Sequence, residues 1–110
     1  MAIHHLEHAD QRDLYARVFD ALSAGGIFIN GEVIGGSGPV TVDEYQRWHH
    51  DSVRAQGGDD HDWHAYLDRQ QADRCASLAE HLDWLRACGF VEIDCLFKQR
   101  MFGVLVALKP

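Results

Sequence analysis

The chain has 110 residues, of which 46% are hydrophobic and 25% charged, and its formal net charge is -7. This length allows one domain at most. The basic residues are scattered singly, so the chain lacks the concentrated Lys and Arg face of a nucleic-acid-binding protein. No apolar run approaches the ~20 residues that span a bilayer, and the amino end shows no signal peptide, so we expect a cytoplasmic protein.

A first helix is predicted from Asp10, which is a good N-cap, and from apolar residues at helical spacing up to Leu22. Gly25-Gly26 ends this helix, and a strand is predicted from Ile27 to Ile34. The glycine-rich loop that follows, residues 35–39, lacks the Gly-Lys-Ser/Thr ending of a phosphate-binding loop.

Two capping boxes predict the next helix starts, Thr41 with Glu44 and Ser77 with Glu80. Between them, residues 59–74 are predicted to contain a short helix. The helix that begins after Ser77 carries leucines toward the core, and a glycine at position 89 ends it.

Two strands complete the chain, and their patterns differ. Residues 91–98 alternate apolar and polar side chains, which is typical of a half-exposed edge strand, whereas residues 101–108 are almost entirely apolar, as in a strand covered on both faces. Only Gln99 and its neighbours separate the two, so we predict an antiparallel hairpin. The last strand then lies inside the sheet.

Three segments together resemble the C-terminal half of class I S-adenosylmethionine-dependent methyltransferases. They are Ala2-Ile3-His4-His5-Leu6, the run LSAGGIFINGEV at 22–33, and HLDWLRACGFVEIDCLFKQRMFGVLVALK at 81–109. In that family the histidine-containing segment follows the fourth strand, and a helix and a glycine pair lead to the fifth. The seventh strand is then inserted antiparallel between the fifth and the sixth.

The resemblance implies an α/β fold, a partial Rossmann-like methyltransferase sheet of strands five, seven and six with flanking helices. Residues 1–110 would form a single partial domain, with 39–74 as a lid-like helical insertion. The glycine-rich loop and the acidic residue that holds the ribose hydroxyls are both missing from this sequence. S-adenosylmethionine is therefore the cofactor expected for the complete enzyme, while this chain alone is expected to be inactive.

A sheet that lacks its fourth strand exposes one edge of the strand at 27–34. An apolar open edge invites pairing with another chain. We therefore expect a homo-oligomer, or pairing with a missing N-terminal half.

Candidate site residues follow from the resemblance and from the carboxyl ends of the strands, where ligands bind in such sheets. His4 and His5 are candidate catalytic bases, with His5 slightly favoured, and together with Leu6 they are candidate cofactor contacts. Glu32 is a third catalytic candidate. The substrate-binding candidates are Tyr45, Trp48, His49, Lys98 and Arg100. For each of them a structural role as turn, core or solvated residue is the alternative.

The leading functional hypothesis is methyl transfer to a small-molecule acceptor. The second is a non-catalytic, methyltransferase-like module that pairs through its open sheet edge. A histidine-rich metal site is the third, because the chain has eight histidines and an Asp-rich run at 59–64. No recognised ligand spacing occurs, so no metal is expected. The three cysteines, Cys75, Cys88 and Cys95, are expected to be reduced, mostly buried thiols.

Overall fold

The computed structural model of the chain describes residues 3–70 and 75–110, so Ala2 and residues 71–74 of the predicted insertion lie outside the described part. Its elements in chain order are a 3-10 helix Ile3–His5, α1 His8–Ala21, β1 Ile27–Val33, α2 Pro39–Ala55, α3 Asp60–Gln70, α4 Leu78–Cys88, β2 Val91–Gln99 and β3 Phe102–Leu108. Within these ranges no helix combines the length and the apolar character needed to cross a membrane.

The strands form one sheet in the order β1-β3-β2, and β3 is antiparallel to both neighbours. Gln99 pairs with Phe102, so Arg100 and Met101 make the turn between β2 and β3. Arg100 has a φ of 50°, in the left-handed region that tight hairpin turns use. The predicted α/β fold class, with a closing hairpin and the last strand in the middle, is confirmed.

The core lies on one face of the sheet. Tyr15 of α1, Leu85 of α4 and Leu105 of β3 are fully buried in a single cluster, so both helices cover the same face. Phe90, two residues after the end of α4, is also in this cluster.

The opposite face of the sheet carries exposed apolar side chains. Ile27 and Ile29 of β1 are 59% and 63% exposed, and Phe102 of β3 is 42% exposed. The prediction that β3 is covered on both faces is therefore wrong for the described residues. Alternate residues of β3 are buried, and those between them are only half-buried or exposed, because α1 and α4 both pack on the other face.

The start and end of α4 confirm the sequence analysis. Ser77 accepts a hydrogen bond from the main-chain N–H of Glu80, and the Glu80 side chain accepts from the main-chain N–H of Ser77. Gly89 ends the helix with a φ of 108°, and a Cβ there would lie 3.0 Å from the ring of Phe19. The positive φ and the close approach of Phe19 both favour glycine at this position.

Two predicted helix starts are wrong. α1 begins at His8 after Glu7, which places Asp10 in the first turn, where a negative charge is favourable near the positive helix end. α2 begins at Pro39 with Gly38 as N-cap, because proline already has the φ of a first helical residue. The Thr41 hydroxyl consequently accepts the main-chain N–H of Gly38 at 3.0 Å, as a residue of the first turn.

The predicted short helix after residue 59 is present as α3, Asp60–Gln70. Asp59 and Asp62 exchange hydrogen bonds from side chain to main chain at its start. The Asp62 N–H lowers the pKa of the Asp59 carboxyl as part of this cap. The acidic run therefore has a structural function at a helix start.

Candidate functional site

A cleft of about 290 Å³ opens at the carboxyl end of β1. This is the position at which open α/β sheets bind ligands. Its lining comes from the 3-10 helix and all three strands, and consists of His4, Gly31, Glu32, Val33, Phe97, Phe102, Gly103 and Val104. The fold thus brings two of the predicted catalytic residues, His4 and Glu32, to one cleft from positions 28 residues apart.

His4 and Glu32 form a buried pair in this cleft. The distance from His4 Nδ1 to Glu32 Oε1 is 2.6 Å, and the side chains are 11% and 1% exposed. Glu32 Oε1 also accepts the main-chain N–H of Val33 at 2.9 Å. A carboxylate that accepts from Nδ1 keeps the hydrogen of a neutral imidazole on that nitrogen, so Nε2 carries the lone pair. This arrangement suits a general base.

Behind Glu32, further buried polar groups occupy the core face of the sheet. Asn30 Nδ2 donates to Glu32 Oε2 at 3.3 Å and to Tyr15 Oη at 3.0 Å. Tyr15 Oη lies 2.7 Å from His81 Nδ1. Burial raises the pKa of Tyr15 well above its ordinary value, and burial lowers the pKa of His81. The tyrosine hydroxyl therefore donates to a neutral His81.

Asn30, Tyr15 and His81 are not among the site residues predicted from the sequence. Tyr15 lies within the predicted first helix, and His81 is one residue of the segment that carries the family resemblance. The signal that could have revealed them is on β1, where Phe28, Asn30 and Glu32 share one face. Polar residues on the core face of a strand need buried partners.

His5 and Leu6, the other predicted cofactor contacts, do not line this cleft. His5 is exposed, and its ring centroid lies 4.2 Å from that of His4. Leu6 is half-buried, and its carbonyl accepts a hydrogen bond from Gln11 Nε2 at 2.8 Å. Their roles toward a cofactor stay predictions.

The predicted substrate-binding residues of α2 and of the hairpin turn contact each other. Lys98 Nζ donates to Tyr45 Oη and to the carbonyl of Arg100, both at 2.6 Å. Arg100 Nε donates to Glu44 Oε1 at 3.0 Å, and its guanidinium lies 5.1 Å from the Trp48 ring centroid. The two cations therefore hold α2 against the turn at the cleft end of the sheet. Substrate binding by these residues stays a prediction.

We expect loss of this contact to loosen α2 without unfolding the chain. Replacing Arg100 by methionine removes a half-exposed ion pair, which contributes about 0–1 kcal/mol. Hydrogen exchange should become several-fold faster in α2 and stay unchanged in α4. The control is Arg86→Met, which breaks an exposed pair with Asp83 within α4. Equal exchange rates in α2 of the Arg100→Met variant and of the wild type would show that Arg100 does not hold α2 against the turn.

His49 lies in an aromatic cluster between α2 and α3. Its ring centroid is 4.3 Å from Tyr66, 5.7 Å from Trp63 and 6.2 Å from Phe102. Burial lowers the pKa of His49. A cleft of about 240 Å³ adjoins this cluster and shares Phe102 with the cleft at His4. Among residues 3–70 and 75–110, no group of His, Cys, Asp and Glu side chains is arranged to hold a metal ion.

The buried histidines predict a loss of stability below neutral pH. The pKa of His81 is lowered by burial, although Glu32 and Glu80 raise it, and His8 lowers it further. As the pH is lowered, His81 therefore binds a proton in the unfolded chain before it does so in the folded chain. The free energy of unfolding falls as pH drops below about 6.5, by at most about 1.4 kcal/mol per pH unit for one proton. Urea unfolding at several pH values measures this slope.

The variant His81→Gln should reduce this pH dependence, because the titrating group is gone and the amide oxygen can still accept from Tyr15. The control His61→Gln, at an exposed histidine of α3, should keep the wild-type slope. Part of the slope should remain in the His81 variant, since the pKa of His49 is lowered in the same direction. Identical slopes in the wild type and His81→Gln would refute the assignment.

No protein-family model matches the chain, and no curated protein matches its sequence. Solved structures do match. A protein from Bordetella parapertussis, described as a possible exported protein, superposes on 100% of this chain and 36% of its own, at 20% identity and a TM-score of 0.63. PigF, solved with SAH, matches 98% of this chain and 28% of its own, at 20% identity and a TM-score of 0.62.

The S-adenosylmethionine-dependent methyltransferase SibL, in its apo form, matches 96% of this chain and 28% of its own, at 16% identity and a TM-score of 0.59. The chain therefore spans about a third, or less, of the length of these three proteins. Identities this low show a shared fold. The α/β arrangement of this chain is similar to that of methyltransferase structures.

Proposed function

We propose that this chain supplies the acceptor-activating side of an S-adenosylmethionine-dependent methyltransferase that acts on a small molecule. The observation that carries the proposal is the His4–Glu32 pair, buried in a cleft at the carboxyl end of β1. The likeness in fold to SibL and to PigF with SAH supports the choice of methyl donor. SAH is the product that remains when S-adenosylmethionine has given up its methyl group.

The work of this chain in that reaction is proton transfer and positioning. When bound, S-adenosylmethionine supplies an electrophilic methyl group and keeps the electron pair of the broken carbon–sulfur bond. The acceptor loses a proton as it forms the new bond, and Nε2 of His4 takes up that proton. Glu32 holds the imidazole through Nδ1 and stabilises the imidazolium that results.

The residues of the cleft fit the reacting end of the donor and not its nucleoside. Glu32 is the acidic residue of the cleft lining, and its oxygens already accept from His4, Asn30 and Val33. It therefore has little capacity left for the hydroxyls of a ribose. We place the nucleoside site on strands and loops outside this chain, the missing N-terminal half, where a glycine-rich loop and an acidic residue would be found.

The acceptor is proposed to lie between this cleft and α2. A second cleft of about 250 Å³ shares Val33 with the first and is lined by Tyr45 of α2. With α3, α2 would act as the lid, and its Trp48 and His49 would contact an acceptor of small size. The net charge of -7 favours a small molecule over a nucleic acid.

The test begins with the native polypeptide. An antibody raised against this chain is used to measure its mass in the source cells and to isolate it. A band of roughly twice 12.4 kDa or more, together with transfer of labelled methyl from S-adenosylmethionine to a small molecule, is expected. A band at the mass of this chain with no transfer would overturn the proposal.

The second candidate function is a non-catalytic module that pairs through its sheet. It is favoured by the exposed apolar side chains of β1 and by the edge of β1 that, in the described part of the chain, has no strand beside it. An open apolar edge is a template for strand pairing. The partner would be a second copy or a chain that supplies the other strands.

We expect the isolated chain to self-associate at micromolar concentration, because β1 offers an open edge and two exposed isoleucines. Replacing Ile29 by lysine should lower the associated fraction at least several-fold, since a charge on an edge strand opposes pairing. The control is Leu96→Lys, with a similar exposure of 62%, on β2 at the opposite edge of the sheet; it should leave the associated fraction unchanged, because the proposed pairing uses the edge of β1. Light scattering that shows a monomeric wild type would contradict the expectation.

A further inference from the structure

A continuous line of hydrogen bonds leads from the cleft through the core to α4. It joins His4 to Glu32, Glu32 to Asn30, Asn30 to Tyr15 and Tyr15 to His81, at 2.6, 3.3, 3.0 and 2.7 Å. The five side chains come from the 3-10 helix, β1, α1 and α4. None of these residues is more than 9% exposed.

The direction of each bond in this line follows from the groups involved. Asn30 must turn its amide nitrogen toward Glu32, because the opposite orientation would place its carbonyl oxygen against a carboxylate. The same nitrogen donates to the oxygen of Tyr15, so the tyrosine hydrogen is directed to His81 Nδ1. Each group thereby determines the orientation of the next.

Burial of so many polar groups is costly if the purpose is stability alone. Apolar side chains of similar volume are often as stable as a buried polar network, and a network becomes more costly when one member lacks its partner. His81 already destabilises the fold in this way, because its Nε2 is buried and has no hydrogen-bond partner among the described residues. A positional requirement at the cleft explains why the line is present.

We propose that Asn30, Tyr15 and His81 are positioning residues that hold Glu32 as an acceptor toward His4 and thereby keep the His4 proton on Nδ1. The inference rests on the proposed role of His4 as the base, whose lone pair must be on Nε2. Asn30 acts directly on Oε2 of Glu32. Tyr15 and His81 act through Asn30: the tyrosine hydrogen is directed to His81 Nδ1, so Tyr15 Oη accepts from Asn30 Nδ2 and helps to hold that nitrogen beside Glu32 Oε2.

Nitrogen NMR of the full chain, labelled with ¹⁵N, tests this without any assay of methyl transfer. In the wild type we expect the His4 ring to carry its proton on Nδ1 and to exchange it slowly with solvent. In Tyr15→Phe and Asn30→Leu the Nδ1 proton should exchange at least several-fold faster, and the Nε2–H tautomer should appear. The control is Tyr45→Phe, which removes an exposed hydroxyl outside the line and should leave the His4 signals unchanged.

Two results would overturn the inference. One is a wild-type His4 that carries its proton on Nε2. The other is a Tyr15→Phe variant with protected amides in α1 and β1 and an unaltered His4 ring, since this variant removes a single oxygen atom. The two proposals can fail separately. If the His4 signals are as expected but the native polypeptide transfers no methyl group, the positioning role of Asn30, Tyr15 and His81 is supported and only the proposed function is overturned.

Discussion

Replacing His4 by alanine is expected to lower the rate of the proposed methyl transfer, measured on the native polypeptide, about 10²- to 10⁴-fold, the usual contribution of one general acid–base group. The imidazole lines the cleft and is held by Glu32 at 2.6 Å. Its loss leaves the acceptor proton to water, which is neither oriented nor held in place. The rate is measured with labelled S-adenosylmethionine at saturating acceptor.

The comparison with His5 makes this result decisive. His5 is adjacent in sequence and exposed, and its side chain does not line the cleft. If the large loss follows His5→Ala and not His4→Ala, the base has been assigned to the wrong histidine. The matched control is His61→Ala on α3, whose exposed ring is outside the cleft and should leave the rate within a few-fold of the wild type.

A rise in KM with an unchanged kcat in His4→Ala would give His4 a binding role instead of a chemical one. Binding that is equal in the ground state and the transition state affects KM alone. A base acts in the transition state, so kcat and kcat/KM should fall together. Both parameters therefore have to be measured.

The strand arrangement could be predicted because it depends on local patterns. Alternation in β2, continuous apolar residues in β3 and a short separation between them predict an antiparallel hairpin with β3 inside the sheet. The Ser77 cap and Gly89 stop of α4 are local too, since each involves residues within a few positions. These are the features that the structure confirms.

The start of α2 could not be predicted from capping preferences alone. Thr41 and Glu44 match a capping box, but Gly38-Pro39 precedes them and allows the helix to begin earlier. Glu44 is then released to pair with Arg100, 56 residues away. The cap pattern is therefore degenerate, and the proline at the first helical position favours the earlier start.

Some residues of the candidate site were predicted and others were not, depending on how far along the sequence their partners lie. His4 and Glu32 were identified from their places beside strand ends. Tyr15 and His81 were not, because they meet across 66 residues of sequence on two different helices. No local pattern distinguishes a helical tyrosine that packs in the core from one that also donates a hydrogen bond to a buried histidine.

The burial pattern of β3 differs between the two faces of the sheet. The continuous apolar sequence would suit a strand covered on both faces, yet the described residues cover one. The other face leaves Ile29 63% exposed and Phe102 42% exposed. Apolar area of this kind gains free energy when another polypeptide segment covers it, which supports the proposed missing half and the proposed self-association.

The Glu32→Ala variant is expected to lose about 1–3 kcal/mol of unfolding free energy for each buried donor left without its acceptor. Its side chain is 1% exposed and accepts hydrogen bonds from His4, Asn30 and the Val33 N–H. Removing the carboxylate leaves these donors buried without their acceptor. A loss of this size is a large part of the stability of a small domain.

The exposed carboxylate of Glu44 gives the matched comparison, because it also joins a cation on another element but is 44% exposed. Glu44→Ala should cost about 0–1 kcal/mol. Urea unfolding of the two variants and the wild type, under identical conditions, measures both losses. Equal losses would mean that the Glu32 carboxylate is effectively solvated, and then neither the tautomer of His4 nor its role as the base would be secured by Glu32. A small loss in Glu32→Gln beside a large one in Glu32→Ala would instead attribute the stability to the retained acceptor oxygen, the property that His4 and Val33 use.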